Sequence, residues 1–415
     1  MQPDRIVKGP SQIPNGRMDP SIGLSLIALS LNDWFGQWMN RQYLLSRFGI
    51  GHRVVYSTGA WTVWERATSA WKTARVFGRA VAADNVVVEQ APRWLLRWPR
   101  YGWIDGLALY LHARRLRRLA RDGRKSPTVA ILFHPSFYPY LRFLRADLVA
   151  YHAYDLFADM QGWNPRLERM EDAILREAHL VTAVTPSIAD KLRSRVEREI
   201  RILPNGVDIE AFSRAAGSGA AAPADLAAIP SPRLGYLGSL HPQVDFGLVA
   251  ELAVRRPAWQ FVFVGGRIAQ KHARAESELE LCRSLPNVHF LGHRGHDEIP
   301  LYALNMDVNI MCYRLSEGAW VKSGYPLKLN EYLAAAAPIV SADLESVRAF
   351  MPLVRIATGV DQWEQALVDA LAENAPQIRE ARRALAQQNG WDERARQWWS
   401  WLVERIPRGR SGETR

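Results

Sequence analysis

The sequence predicts an α/β protein built from two doubly wound, Rossmann-like domains that face each other across a cleft. Three observations lead to this prediction. Short β-branched and apolar runs alternate with helical patterns, the runs form two series, and an Ala-, Gly- and Pro-rich segment at 213–232 separates them. Strand–helix alternation is typical of parallel sheets covered by helices on both faces. We therefore predict a first domain at 20–212 and a second domain at 232–385.

The strand candidates of the first series lie at 24–30, 53–56, 85–88, 128–133, 148–151, 180–184 and 201–203. Those of the second series lie at 233–237, 260–264, 287–291, 307–311, 338–341 and 353–356. Between them come segments of helical period, such as 166–179, where Leu167, Met170 and Ile174 share one stripe. The tail at 386–406 is rich in tryptophan, and we expect a helix that packs back on the first domain.

Composition favours a globular, intracellular protein. The 415 residues, 48% of them hydrophobic, are enough for two well-filled cores. Two cysteines, Cys282 and Cys312, exclude a disulfide framework and a thiol-rich metal cluster. The apolar run at 21–30 is shorter than the roughly 20 residues that cross a bilayer, and it lacks the basic lead of an export signal. We expect a cytoplasmic location, with 21–30 forming a buried strand.

Positive charge is concentrated in one segment. The net charge is +11, and the segment 93–125 holds ten Lys or Arg against two Asp, a local balance of +8. Aromatic residues interleave with arginine there, a pattern that suits the surface of an anionic membrane. Nucleic acid is the alternative partner, but the chain has no helix-turn-helix, zinc-finger or RNA-binding signature. We predict peripheral membrane contact through 93–125 and no nucleic-acid partner; a solvated helix face remains the plainer alternative.

The stretch "GYPLKLNEYLAAAAPIVS" at 324–341 places a lysine near the start of a predicted helix. Peptide dipoles already make a helix N-terminus positive, so Lys328 is favourable there only if an anion such as a diphosphate binds. Glu331, one turn deeper, could accept the hydroxyl protons of a ribose. From spacing alone, an ordinary i, i+3 ion pair worth a few tenths of a kcal/mol explains the two residues equally well.

Small residues follow strands of the second domain. Gly238 and Ser239 come directly after the candidate strand 233–237, before a helix near Asp245. Backbone amides at such a turn can approach a phosphate, although glycine and serine are also common in turns without a ligand. Tyr313 stands at the end of a later strand, where its ring can line the cleft.

Three motifs together resemble glycosyltransferases of the GT-B fold, and most of all family-4-type bacterial enzymes that build surface polysaccharides. They are "ILPNGVDIEAF" at 202–212, "NVHFLGHRGHDEIPLYALNMDVNI" at 287–310 and "PLKLNEYLAAAAPIVS" at 326–341. The resemblance implies that the second domain binds a nucleotide-diphosphate sugar, with UDP the expected nucleotide. The donor site it implies comprises Gly238, Ser239 and Leu240 beneath the diphosphate, Lys328 and Leu329 at the phosphates, Tyr313, and Glu331 at the ribose.

Some positions depart from the family pattern. Ser323 stands where many retaining members carry a second glutamate, and "SLHPQVD" stands where they carry an arginine and a lysine. Lys328 and His241 are then the candidate cations near the diphosphate. Ala336 replaces the usual helix-ending glycine, which would cost about 1 kcal/mol if its φ is positive.

A sequence with these departures is similar to the xanthan-type glucuronosyltransferases. Those enzymes invert the configuration of the transferred sugar, and they carry an aspartate after a strand of the first domain. Asp155 in "LVAYHAYD" matches that aspartate. The resemblance makes it the base that takes the proton of the attacking hydroxyl. A helix cap is the alternative role for this residue.

The first domain is expected to bind the acceptor, a lipid-linked saccharide. Asp33 and Trp34 follow its first strand and His134 ends another, so these three are acceptor-side candidates. Trp34 could equally belong to the core, and a lone histidine is more often structural. The Asp-x-Asp motif of metal-dependent glycosyltransferases is missing from the sequence. We therefore expect neither a metal nor a cofactor.

Three functions follow from these patterns. The first is metal-independent transfer of a sugar from a UDP-linked donor to a lipid-linked saccharide or polysaccharide, with Asp155 as base. The second is epimerisation of a nucleotide sugar on the same fold. The third is a basic membrane-binding protein whose pocket is inactive.

Overall fold

The computed structural model describes residues 23–121, 126–160, 162–217, 219, 221–267, 272–315 and 323–406. Residues 20–22 of the predicted first domain and 122–125 of the basic segment lie outside the described residues.

The first sheet has eight strands in the order β3-β4-β2-β1-β5-β6-β7-β8. The strands are β1 (Ser25–Leu29), β2 (Arg53–Ser57), β3 (Arg79–Ala83), β4 (Val86–Gln90), β5 (Thr128–Leu132), β6 (Leu148–Ala153), β7 (Leu180–Ala183) and β8 (Arg201–Ile202). All neighbours are parallel except β3 and β4. Every residue of β1 and β7 is buried, as expected for strands covered on both faces.

The second sheet has six parallel strands in the order β11-β10-β9-β12-β13-β14. The strands are β9 (Arg233–Leu237), β10 (Gln260–Val264), β11 (Val288–Gly292), β12 (Val308–Met311), β13 (Ile339–Ser341) and β14 (Arg355–Ile356). In both sheets the strand order reverses beside the first strand, between β1 and β5 and between β9 and β12. These switch points are where doubly wound sheets bind ligands, outside the carboxyl ends of the strands.

Sixteen α-helices occur among the described residues. They are α1 (Asn40–Phe48), α2 (Ser69–Thr73), α3 (Gly102–Ala120), α4 (Leu141–Leu144), α5 (Pro165–Glu177), α6 (Pro186–Arg193), α7 (Ile209–Gly217), α8 (Ala224–Ala227), α9 (Phe246–Arg255), α10 (Ala273–Ser284), α11 (Ile299–Leu304), α12 (Leu327–Ala335), α13 (Glu345–Arg348), α14 (Gly359–Leu371), α15 (Pro376–Gln388) and α16 (Trp391–Glu404). Local chemistry sets their starts: the hydroxyl of Thr185 accepts the Ile188 N–H at α6, and Asp245 accepts the Leu248 N–H at α9. No helix of the described residues is both long and apolar enough to span a bilayer.

The tail helix packs on the first sheet's side of the molecule, as predicted. The ring of Trp391 stacks on Tyr43 at 5.1 Å between centroids, and the Trp398 and Trp399 rings lie 5.6 and 5.5 Å from Phe48. The apolar face of α16 is thereby buried against α1.

The segment 213–232 is more structured than a plain linker. α7 extends into it and α8 lies within it, while Phe212 and Leu226 join the core of the second half. Asp225 of α8 forms an ion pair with Arg294 and accepts the Tyr302 hydroxyl at 2.9 Å.

Candidate active site

Lys328 lies in the first turn of α12 and reaches back under the switch point of the second sheet. Its side chain is 7% exposed. The Nζ atom donates a hydrogen bond to the Tyr313 hydroxyl at 2.7 Å and lies 3.8 Å from the centre of the Tyr236 ring. Those two tyrosines come from the ends of β12 and β9, so the ammonium is placed between the two strands that flank the switch point.

Burial lowers the pKa of Lys328 to about 7, because desolvation outweighs the opposing field of Glu331. The tyrosine ring and hydroxyl offset only part of that desolvation, since a cation–π contact contributes about 0.5–2 kcal/mol. No ion pair neutralises the ammonium within the described residues. At neutral pH roughly half of the lysine is protonated, and a bound anion would stabilise the charged form.

The loop after β9 closes over this lysine. Gly238 has φ of 137°, and a Cβ there would lie 3.0 Å from Lys328 Nζ. Its backbone also meets the loop after β10, because a Cβ on Gly265 would lie 2.0 Å from the Gly238 carbonyl oxygen. Side-chain-free residues are needed at both positions for this close approach. The predicted glycine turns therefore frame the Lys328 site.

Glu331 lies one turn deeper on α12, beside a cavity of about 20 Å³ that Tyr43, Asp208 and His296 also line. Burial raises the pKa of Glu331, and the positive field of Lys328 opposes the rise. The carboxylate makes no hydrogen bond to a described residue. Its acceptor oxygens are thus available to a ligand hydroxyl, as the resemblance implies for a ribose.

Asp155 follows β6 at the carboxyl edge of the first sheet and is 7% exposed. Desolvation raises its pKa to about 7, although the Leu156 N–H and the charge of Arg41 act in the opposite direction. Its Oδ1 accepts the Leu156 N–H at 2.9 Å, and no helix begins with Asp155 as its cap. The cap interpretation is therefore wrong, and a carboxylate with this pKa can exchange a proton near neutral pH.

The carboxyl edge of the first sheet faces the start of α12. The Thr185 hydroxyl, just after β7, donates to the Ser323 carbonyl at 2.9 Å. Asn205, after β8, donates to the Tyr325 carbonyl at 2.7 Å. On the other side, the Ser239 hydroxyl donates to Gln37 at 2.7 Å. Since β6 neighbours β7, Asp155 lies at the edge of the first sheet that faces α12, the helix of Lys328, across the gap between the two halves.

The structure corrects one of the sequence-based assignments, that of Trp34 to the acceptor side. Trp34 is 1% exposed and its indole N–H donates to Asp84 at 3.0 Å, so it belongs to the core and offers no ring to a sugar. The side chain of Leu329 is in the core, at 0% exposure, so a contact with the donor would have to come from its backbone. Burial and then the charge of Lys328 lower the pKa of His241 to about 4, so that it is neutral at pH 7 in the unliganded protein.

Three other predicted residues have different surroundings. Asp33 is exposed and accepts the Phe35 N–H at 3.3 Å. His134 bonds Ser136 through Nδ1 at 2.8 Å, and burial lowers its pKa to about 4. Leu240 is buried beside the glycine turn, and its N–H donates to the Gly266 carbonyl at 2.9 Å. Asp33 and His134 stay acceptor-side candidates.

Several site residues were not predicted. Tyr236, inside a strand, forms the floor under Lys328, and Gln37 and Tyr43 reach the second half from the first. The Trp38 ring stacks on His296 at 4.5 Å, again between the halves. Only Tyr236 had a sequence signal, as an aromatic residue one step before a strand end. The rest depend on how the two halves meet.

Family models match both halves of this gap. Residues 67–211 match the family described as Glycosyltransferase Family 4, and residues 231–374 match the family described as Glycosyl transferases group 1. Both matching families are families of glycosyltransferases. The family-4 match includes Asp155, and the group 1 match includes Lys328 and Glu331. The resemblance stated from the motifs is thereby confirmed.

A curated relative supports the same assignment. Over 213 residues the chain is 30% identical to TuaH of Bacillus subtilis (strain 168), which is named as a teichuronic acid biosynthesis glycosyltransferase. The match covers 48% of this chain and 51% of that protein, so it spans about half the length of the relative.

Solved structures share the whole architecture. HepE of Anabaena, in complex with UDP and glucose, matches with a TM-score of 0.65 at 13% identity, over 92% of this chain and 99% of that one. An α,α-trehalose-phosphate synthase (UDP-forming) of Burkholderia xenovorans, in complex with glucose-6-phosphate, gives 0.65 at 11% identity, over 92% and 100%. At these identities the likeness shows the fold, and it confirms the predicted GT-B arrangement of two parallel-sheet domains.

Proposed function

We propose that this protein transfers a sugar from a UDP-linked donor to a saccharide acceptor that is lipid-linked or part of a polysaccharide. The observation that carries the proposal is the buried Lys328 ammonium, held under the Gly238 turn at a switch point without a neutralising carboxylate among the described residues. The complexes of HepE with UDP and the teichuronic acid assignment of TuaH support the donor and acceptor classes.

In this proposal the diphosphate lies over the first turn of α12. Lys328 and the backbone of the Gly238–Ser239 turn bind its oxygens, and the dipole of α12 adds to their field. Glu331 accepts the ribose hydroxyls. Tyr313 gives up its hydrogen bond from Lys328 when phosphate oxygens arrive, because a charged acceptor is the stronger partner.

Asp155 acts as the base of the transfer. It takes the proton of the acceptor hydroxyl while that oxygen bonds to C1 of the sugar and the bond from C1 to the diphosphate breaks. UDP leaves with the bonding electron pair, and Lys328 stabilises the added negative charge. A pKa of about 7 suits this role, since roughly half of the carboxyl is ionised at neutral pH.

The leaving group needs no metal in this scheme, since Lys328 and the α12 N-terminus supply the positive field. No cluster of three or more His, Cys, Asp or Glu side chains that could hold a metal occurs in the described part of the chain. Transfer rates that stay unchanged on treatment with EDTA would support this part of the proposal.

The acceptor is proposed to reach the enzyme at an anionic membrane on its cytoplasmic side. One stripe of α3 is exposed, with Trp103, Leu107 and Tyr110 toward its start and Arg114 and Arg118 toward its end. These positions repeat every three or four residues and so share one face. An apolar, aromatic and basic face of this kind fits the boundary between lipid head groups and acyl chains.

A panel of nucleotide sugars tests the function. The protein is incubated with each UDP-sugar, with and without a bacterial membrane extract as acceptor source, and UDP release and sugar products are measured. Transfer predicts UDP release that rises with the acceptor. Epimerisation predicts a new UDP-sugar without UDP release, and an unchanged panel points to an inactive pocket.

A further inference from the structure

Arg41, in the first turn of α1, is buried with part of its hydrogen-bonding capacity unused. It is 1% exposed, and its Nε and Nη1 have no hydrogen-bond partner among the described residues. Its guanidinium lies over the Tyr154 ring, 4.3 Å from the centroid. Leaving such donors unsatisfied costs about 1–3 kcal/mol and more for a charged group, so a ligand is the expected compensation.

The position of Arg41 is where the first sheet would bind a ligand. α1 follows β1, and the strand order reverses between β1 and β5. The neighbouring Asn40 bonds His152 through Nδ2 at 3.2 Å, while its Oδ1 also lacks a partner in the described structure. Two adjacent, buried polar side chains at the start of a nine-residue helix thus have unused hydrogen-bonding atoms.

The charge of Arg41 acts on Asp155, the proposed base. It lowers the pKa of Asp155, although burial has the larger and opposite effect. The Nε and Nη1 donors do not bond that carboxylate. The arginine therefore lies beside Asp155 and leaves its donors for another group.

We propose that Arg41 binds an oxyanion, a phosphate or a carboxylate, carried by the acceptor substrate. The inference rests on the proposed transferase function and adds the chemical class of its acceptor. The donor diphosphate has its own cation, Lys328, on the opposite wall of the gap. An acceptor anion at Arg41 brings a nearby hydroxyl to Asp155, and a neutral acceptor would leave Nε and Nη1 without a charged acceptor. Because Arg41 is closed off in the structure, the anion enters when the site opens.

The test uses the full chain as wild type, Arg41→Gln, Arg41→Lys and Lys328→Met. Each protein is titrated calorimetrically with inorganic phosphate and with methyl glucuronide, with and without saturating UDP. We expect wild type to bind at least one of these anions with UDP present. Arg41→Gln should weaken that binding about tenfold or more, and Arg41→Lys less, because the charge is kept. Tighter phosphate binding identifies a phosphorylated acceptor, and tighter glucuronide binding an acidic sugar.

Titration with UDP tests the donor site independently of the role of Arg41. Arg41→Gln should bind UDP as wild type does, which also shows that it is folded. Equal anion binding by wild type and Arg41→Gln, or no anion binding by wild type, overturns the role of Arg41. Failure of wild type to bind UDP overturns the donor proposal instead. The titrations of Lys328→Met without UDP then still report on Arg41, because the donor-site cation is gone.

Discussion

Replacing Lys328 with methionine separates the cost of burying a charge from the benefit of binding a diphosphate. Methionine keeps an unbranched stem against Tyr236 but removes the ammonium. Burial lowers the pKa of Lys328 from 10.5 to about 7. At about 1.4 kcal/mol for each pH unit, the charge costs the free protein of the order of 4 kcal/mol at neutral pH. Lys328→Met should therefore unfold at or above the wild-type temperature.

Donor binding should change in the opposite direction. A charge-assisted contact to phosphate contributes about 1.5–3 kcal/mol, so UDP should bind the variant about 10- to 150-fold more weakly. Titration calorimetry with UDP measures this loss, and thermal unfolding of the unliganded protein measures the stability. Lys72→Met, on the exposed surface of α2, is the matched control and should leave UDP affinity unchanged.

The pH dependence of protein stability tests whether the buried charge of Lys328 is destabilising. When folding lowers the pKa of a lysine, its charge destabilises the folded protein by the full amount at pH values below the lowered pKa. This loss of stability disappears as the pH rises toward the pKa of the lysine in the unfolded state. The stability difference between Lys328→Met and wild type should narrow from pH 7 to pH 10. UDP affinity equal to wild type, or a variant clearly less stable at pH 7, would refute the buried-cation reasoning.

Asp155→Asn should lower transfer by about 10²–10⁴-fold with UDP affinity unchanged, whereas Asp159→Asn should retain most activity; full activity of Asp155→Asn removes the base. Because burial raises the pKa of Asp155 to about 7, kcat of wild type at saturating donor should rise with pH through that value as the carboxylate forms. Ala336 has φ of 61° and is 0% exposed, so in urea unfolding Ala336→Gly should change stability by less than about 1 kcal/mol, since relief of strain offsets the lost methyl. Ala335→Gly, inside α12, should cost about 1–2 kcal/mol. Trp103→Ser should weaken sedimentation with phosphatidylglycerol vesicles several-fold and leave UDP binding intact; unchanged sedimentation would contradict the membrane face.

Most of the fold could be predicted because its signals are local. Buried parallel strands are apolar along their whole length, so thirteen of the fourteen strands stand out in the sequence. β3 was not predicted, since "RAVAA" is an edge strand with largely exposed residues. A turn signal was present, as Asp84 and Asn85 both have positive φ, which favours a tight antiparallel hairpin.

The donor wall could be predicted and the acceptor wall only in part. Lys328, Glu331 and Gly238 are close to glycine turns and a helix start, which sequence motifs encode. Trp34 and Arg41 show the limit, because residue type left the burial of Trp34 open and gave no sign that Arg41 is buried. Whether a tryptophan lines a cleft, or an arginine is left without partners, is decided by contacts between distant segments.

The proposal depends most directly on where a diphosphate binds, and a crystal structure of the UDP complex measures it. We predict phosphate oxygens within about 3 Å of Lys328 Nζ, beside the Gly238 turn, with the ribose hydroxyls at Glu331. A complex in which the diphosphate lies elsewhere, and Lys328 remains bonded to Tyr313 alone, would contradict the donor site and the transfer mechanism built on it.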